Sequence, residues 1–103
     1  MAAGEIHVND VNTRFIITLM DGSSVVDVST STLLQIVFHK PDASLLTKTA
    51  TMYTDGTDGK FYYNSASGDL DQEGNWKLQA YIEFTGGSKF HSDIGNFKVY
   101  PNL

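Results

Sequence analysis

Acidic side chains that could bind a metal ion concentrate in one segment of the chain, residues 55–73. Within it, Asp69-x-Asp71-x-Glu73-Gly74 places oxygens at positions one, three and five and a glycine at position six, which is the spacing of an EF-hand calcium loop. Position twelve should then be a glutamate, but it is Ala80, in a stretch with strand-like alternation. We therefore expect polar connections between strands, turning at glycines, with no metal and no cofactor. The segment contains one basic residue, Lys60, and five acidic residues: Asp55, Asp58, Asp69, Asp71 and Glu73.

The other residue types that commonly carry catalysis are scattered along the chain. His7, His39 and His91 each stand alone in their segments, so no pair has the spacing of metal ligands. The sequence contains no Gly-x-Ser-x-Gly elbow, and the two glycines of residues 86–89 are too close together for a phosphate loop. Cysteine is absent, which removes disulfides, thiolate zinc sites and thiol nucleophiles. We predict no catalytic residue and a protein that is not an enzyme.

Three tyrosines are the remaining candidates for a binding role. Tyr53, Tyr62 and Tyr81 are expected on outward strand faces, where an aromatic ring can stack on a sugar or on a partner protein. The alternative is ordinary packing against side chains of a neighbouring strand. These tyrosines are the predicted interaction surface, with both interpretations open.

The elements that position these side chains are predicted to be strands. Val, Ile and Thr supply 23 of the 103 residues, whereas Glu and Arg supply three and one, a balance that favours strands. Only Ser29 to Leu34 could form a helical turn. Turn-forming residues divide the chain into eight predicted strands: residues 4–8, 13–20, 24–28, 33–40, 45–54, 60–66, 75–85 and 88–100.

A two-residue period of apolar side chains identifies the predicted core. It is clearest from Trp76 to Phe84, where apolar residues alternate with polar ones. The predicted core comprises Phe15, Ile17, Leu19, Leu34, Ile36, Phe38, Trp76, Leu78, Ala80, Ile82, Phe84, Phe97 and Val99. No helical pattern separates the strands, so a parallel α/β fold is excluded. We predict an all-β chain forming one domain over residues 1–103, an immunoglobulin-like antiparallel β-sandwich of seven or eight strands.

The charge balance restricts the partners. Twelve acidic and seven basic residues give a net charge of −5, which repels a phosphate backbone, so nucleic acid is not an expected partner. No apolar run reaches the length of a membrane span, and the first five residues lack the pattern of an export signal. We expect a protein made in a cytoplasm, with no membrane partner.

Five segments together resemble a known type of phage domain. They are Phe15 to Leu19 followed by Asp21-Gly22; Val26-Asp27-Val28-Ser29; Ile36-Val37-Phe38-His39-Lys40-Pro41-Asp42; Thr54 to Gly59 followed by Lys60-Phe61-Tyr62-Tyr63; and Asp69-Leu70 leading to Gly74-Asn75-Trp76-Lys77-Leu78-Gln79-Ala80. Their order over residues 8–100 is similar to small β-sandwich proteins of tailed bacteriophages and prophages, akin to the N-terminal domain of the baseplate upper protein family. Ala43 departs from the glycine usual after Pro-Asp, and Val28 from the usual leucine.

The resemblance implies a structural role. It suggests a virion building block of the baseplate, tail or neck, made in the host cytoplasm, that contacts other tail proteins and further copies of itself. No catalytic residue is implied by the resemblance. The alternative is a carbohydrate-binding or adhesion module that uses the outward tyrosines, with calcium in the acidic loops.

Overall fold

Strands are the regular elements of the computed structural model, which describes residues 5–103. No helix forms in this part of the chain, so none is long and apolar enough to cross a membrane. The all-β prediction is confirmed. The strands are β1 (Ile6–His7), β2 (Arg14–Thr18), β3 (Met20–Asp21), β4 (Ser24–Val25), β5 (Ser31–His39), β6 (Leu45–Thr49), β7 (Thr51–Met52), β8 (Lys60–Asn64), β9 (Gly74–Phe84), β10 (Lys89–His91) and β11 (Gly95–Tyr100).

The strands form a large sheet, a small sheet and a short hairpin. The large sheet has the order β1-β11-β9-β5-β6, and β10 also pairs with β9. The small sheet has the order β2-β8-β7, while β3 pairs with β4. The strand pairs are antiparallel except β1 with β11, which are parallel, so the prediction of a purely antiparallel arrangement is wrong at this edge. The first predicted strand began at residue 4, which lies outside the described residues.

The segment Ser29 to Leu34, where the sequence allowed a helical turn, forms a turn only at Ser29 and Thr30 and is a strand from Ser31 onward. Ser31 to Leu34 open β5, and Leu34 lies opposite Ile82 of β9. Leu34 is buried, and the inward alternation continues through Ile36 and Phe38. This tertiary packing outweighs the weak local preference of a Ser/Thr segment for a turn.

Eleven strands form instead of eight because three predicted strands each divide in two. Residues 45–54 divide at Ala50, whose N–H still donates to Leu34 O of the large sheet at 2.9 Å, whereas Thr51 pairs with Tyr62 of the small sheet. Residues 88–100 divide at Ser92, whose hydroxyl oxygen accepts from Ala80 N at 2.8 Å. The third division, at Leu19, separates β2 from β3. The break at Ala50 marks a change of pairing partner, whereas β10 and β11 on either side of Ser92 both pair with β9.

The two sheets share one hydrophobic core. Phe15 of the small sheet contacts Phe38 and Phe97 of the large sheet, with ring centroids 5.1 and 5.0 Å apart. Nine of the thirteen side chains expected in the core are buried: Phe15, Leu19, Leu34, Ile36, Phe38, Trp76, Ala80, Ile82 and Val99. The other four pack against this core but remain partly exposed: Ile17, Leu78, Phe84 and Phe97. Ile17 and Leu78 are partly exposed because they line an open cleft at one edge of the small sheet.

Four buried residues were not among the expected core: Val28, Ala50, Phe61 and Leu70. Phe61 lies between Lys60 and two tyrosines, so no long alternation of apolar and polar residues marks it as inward. Its position within β8 directs its side chain to the core. Leu70 lies between two aspartates of the acidic segment. Burial of Leu70 therefore places part of that segment against the core.

The turn between Asp55 and Gly59 packs closely against residues 25–29, which predicts a strong effect of substitution at Gly59. Gly59 has φ +69°, and a Cβ there would lie 2.6 Å from the carbonyl oxygen of Val26. Gly22 has a similar φ, +64°, with open space around it. Gly22→Ala should cost about 1 kcal/mol from backbone strain alone. Gly59→Ala should cost at least about 1 kcal/mol more by urea denaturation, and equal losses would contradict the close packing.

Candidate functional site

The carboxylates of residues 55–58 are engaged in local turns. Asp55 accepts hydrogen bonds from the N–H and the hydroxyl of Thr57, at 3.0 and 2.6 Å. Asp58 accepts from Lys60 N and from the Thr54 hydroxyl, both at 3.0 Å. The hydrogen bonds from Thr57 hold the pKa of Asp55 below its usual value. Both aspartates therefore shape the turn that connects β7 with β8.

The carboxylates with EF-hand spacing bind different partners. Asp69 is buried and accepts hydrogen bonds from the Tyr63 hydroxyl and from Ala66 N, while Lys48 Nζ lies 3.3 Å away. Asp71 instead pairs with Lys40 at 2.9 Å. Within residues 5–103 no three His, Asp or Glu side chains are grouped closely enough to hold a metal ion. The spacing in the sequence thus does not bring these oxygens to one point.

The Asp69 group has a clear electrostatic signature. Burial alone would raise the pKa of Asp69, but hydrogen bonds from Tyr63 and Ala66 and the nearby Lys48 ammonium outweigh burial and lower it. Burial, together with the bond to Asp69, raises the pKa of Tyr63 to about 12. The charged form of Asp69 and the neutral form of Tyr63 are therefore the forms that fit the folded chain.

This signature predicts how stability depends on pH. Because folding lowers the pKa of Asp69, its contribution is present above the unfolded-state value near 3.8 and is lost as pH falls through the folded-state value. The free energy of unfolding should fall as the pH is lowered below about 5, and the fall should be smaller in Asp69→Asn. Urea denaturation at a series of pH values measures this, and indistinguishable profiles for native chain and Asp69→Asn would contradict it.

The histidines lie on separate strands. His7 of β1 lies 3.4 Å from Glu5 and near the Tyr100 ring, whereas His91 of β10 packs on the Tyr81 ring at 5.0 Å between centroids. His39 is exposed at the end of β5. The structure therefore brings none of them together as a pair within the described residues.

The three candidate tyrosines occupy two different surfaces. Tyr53 and Tyr62 lie together on the small sheet, with ring centroids 6.1 Å apart and planes at 86°. Tyr81 lies on β9 of the large sheet, opposite Gln35 and His91. Partial burial and the neighbouring Glu83 carboxylate raise the pKa of Tyr81. Tyr81 is thus separate from the other two.

Tyr62 belongs to a patch that we call the Tyr62 face, formed by Arg14, Ile16, Tyr53 and Tyr62. The Arg14 guanidinium carbon lies 4.6 Å from the centre of the Tyr62 ring, and its Nε donates to Asn64 Oδ1 at 3.1 Å. Ile16 lies directly opposite Tyr62 in the β2–β8 pair. Ile16 and Tyr53 are 49% and 46% exposed. The patch thus combines aromatic, aliphatic and cationic groups on one sheet.

An open strand edge borders the Tyr62 face. Among residues 5–103, β2 pairs with β8 alone, which leaves its other side free. A cleft of about 250 Å³ separates this free side from residues 92–95. Met20 and Ile94 line the cleft together with Ile16, and they are 44% and 59% exposed. Three exposed apolar side chains therefore surround one cleft.

Arg14, Ile16, Met20 and Ile94 were not among the predicted site residues. One signal was present for Ile16: Phe15 and Ile17 were assigned to the core, so the residue between them had to point outward. A large apolar residue at an outward position is a sign of a contact surface. The position of Ile94 beside β2 depends on how the two sheets meet, which the sequence pattern does not specify.

Another depression lies on the outer face of the large sheet. It has a volume of about 340 Å³, and its lining includes Val37, Leu45 and Lys77. Leu45 is the most exposed of these apolar side chains. Its lining contains no tyrosine, phenylalanine or tryptophan, so the Tyr62 face and the adjoining edge of β2 form the candidate site.

Comparison with known proteins gives no assignment. The chain matches no model of a known protein family, and no curated protein matches it significantly.

Proposed function

We propose that the chain is a non-enzymatic structural module of a tailed phage or prophage particle, located in its baseplate, tail or neck and acting through contacts with other proteins. The observation that carries this proposal is the Tyr62 face with the open edge of β2 beside it. Aromatic residues and arginine are enriched at protein interfaces and dominate their binding energy. The resemblance described above supports the phage assignment.

We further propose that the fold is an immunoglobulin-like β-sandwich. Two features support it: a core contributed by both sheets, and a chain that passes from one sheet to the other at Ala50. If each divided strand is counted once, the eleven strands correspond to the eight predicted from the sequence.

The carboxylates are arranged in a way that suits a scaffold. Asp55 and Asp58 stabilise a turn, whereas Asp69 and Asp71 bind lysines of other segments. Among the described residues, every buried side-chain nitrogen or oxygen has a hydrogen-bond partner. The polar groups thus contribute to the fold, and the exposed apolar groups remain for contacts.

A pull-down with purified tail and baseplate components tests the proposal. The tagged chain should capture at least one component, and Tyr62→Ala should weaken that binding about tenfold or more. Tyr81→Ala is the matched control, because Tyr81 is also a partly exposed strand tyrosine but lies on the other sheet. Both variants should unfold within about 1 kcal/mol of the native chain. Equal loss in the two variants would contradict the assignment of the Tyr62 face.

The rival function is carbohydrate binding, favoured by the exposed pair Tyr53 and Tyr62. Their rings meet edge to face rather than as one flat platform, which suits a stacked sugar less well. A glycan array decides between the two functions. Binding of a glycan that is lost in Tyr62→Ala or in Tyr81→Ala, without capture of any particle component, would favour the rival.

A further inference from the structure

We infer that the chain pairs with a second copy of itself through the open edge of β2, in an antiparallel arrangement with Ile16 opposite Ile16 of the second copy. This inference rests on the proposed function, because it names one of the partners of an assembly module. The pairing would join two small sheets into one continuous sheet.

The hydrogen bonds of β2 show which of its backbone groups are free. Leu19 N donates to Gly59 O, and Ser65 N donates to Thr13 O, both at 2.9 Å. In an antiparallel pair the residues alternate between bonded and non-bonded positions, so the odd-numbered residues of β2 bond to β8. Arg14, Ile16 and Thr18 therefore direct their N–H and C=O groups toward the open side. No backbone hydrogen bond links them to residues 92–95 in the described part of the chain.

The other five-residue edge is protected in a way that β2 is not. Lys48 of β6 points to the inner side and pairs with Asp69, and an inward charge on an edge strand opposes docking of another strand. The inward residues of β2 are Phe15 and Ile17, both apolar. The remaining edge strands are shorter, with two residues each in β1, β3, β4 and β7 and three in β10. Among the described edges, β2 is thus a five-residue strand without an inward-pointing charged side chain.

The symmetry and the charges select one register. A two-fold axis between identical strands makes them antiparallel. If the axis passes beside Ile16, Arg14 lies opposite Thr18, and the three free positions form about six hydrogen bonds. An axis beside Arg14 would place two arginines opposite each other, which is unfavourable. An axis beside Thr18 would use residues beyond Leu19, where the chain leaves β2 for the hairpin.

The chosen register also matches the surroundings of the edge. Arg14 of the second copy would lie beside Thr18, at a cleft whose lining includes Asp93, so that opposite charges approach. The two Ile16 side chains would become neighbours between the two Tyr62 rings. Five-residue edges bury less area than the standard interface of about 1,600 Å², so we expect weak dimers, with dissociation constants of about 1 μM or higher.

Sedimentation velocity of the full chain from about 1 μM to about 1 mM tests the inference. The native chain should shift from monomer to dimer over this range. Ile16→Lys should remain monomeric, because two lysines would face each other. Thr47→Lys is the matched control, since it places the same charge at an exposed position of the β6 edge, and it should dimerise like the native chain. Circular dichroism of both variants checks that the fold is kept.

Single cysteines test the register itself, because the natural chain contains none. Bonded residues in an antiparallel pair have Cα atoms about 5.5 Å apart, which a disulfide can bridge. Ile16→Cys should therefore cross-link two copies under mild oxidation. Thr18→Cys should not, because the two Thr18 Cα atoms would be about 14 Å apart.

Two results would overturn the inference: a native chain that is monomeric at about 1 mM, or cross-linking as fast at position 18 as at position 16. A monomer that still captures a tail component would overturn self-pairing but leave the proposed function intact. A dimer that captures only a glycan would leave self-pairing intact and overturn the proposed function.

Discussion

Trp76→Ala is expected to lower the free energy of unfolding by about 3–5 kcal/mol, out of the 5–15 kcal/mol typical of a domain. Trp76 is fully buried and stacks on Phe97 at 5.7 Å between ring centroids. Phe38 also lies edge-on to the Trp76 ring, with ring centroids 6.5 Å apart. Alanine would leave a large cavity and would also leave Gln72 O without the hydrogen bond from Trp76 Nε1 at 3.0 Å.

Urea denaturation followed by circular dichroism measures this loss. Phe90→Ala is the control, because Phe90 is also an aromatic residue of the large sheet but is half exposed. Its loss should be about 1 kcal/mol or less. Similar losses in the two variants would show that Trp76 does not contribute to the core in the way described.

Asp69→Ala is expected to cost about 2–4 kcal/mol, because it leaves several groups without their partner. Tyr63 would lose the acceptor of its hydroxyl, Ala66 the acceptor of its N–H, and Lys48 its nearest opposite charge. These losses fall in a part of the chain that also contains the buried Ser65 and Leu70. The segment after β8 should therefore loosen together with the contact to β6.

Asp71→Ala provides a matched comparison two residues away. Asp71 also pairs with a lysine, but its side chain is 45% exposed, and exposed ion pairs contribute at most about 1 kcal/mol. The ratio of the two losses at neutral pH is the informative quantity. A larger loss at Asp71 than at Asp69 would contradict the role given to the buried carboxylate.

Alternation of side chains was sufficient to predict the strands and most of the inward residues. The run from Trp76 to Phe84 is an example, because its inward face follows directly from the two-residue period. The divisions at Leu19 and Ala50 could not be predicted, since they depend on which strand lies alongside, and the one at Ser92 interrupts pairing with a single strand, β9. The same limit applies to Ser29 to Leu34, where the sequence alone allowed a helical turn and pairing with β9 makes the residues from Ser31 onward a strand.

The candidate site was predictable only in part. Tyr53 and Tyr62 were recognised as candidates, but separating Tyr81 from them required knowledge of the sheet to which each strand belongs. The alternation in the sequence already places Ile16 on the outward face of its strand. Ile94, in contrast, comes near β2 only through the packing of the two sheets. The acidic spacing from Asp69 to Glu73 misleads for a related reason: burial of Leu70 directs its neighbours to different partners.

Density-gradient centrifugation of phage particles from a strain that carries this gene tests the central proposal most directly. An antibody against the chain would locate it in the fractions, with a known tail protein as the marker of particles. We expect the chain to sediment with intact particles and to remain with them after washing at high salt, because the contacts of the Tyr62 face are largely apolar. Recovery of the chain only in the soluble fraction, while the tail marker sediments, would contradict the proposal.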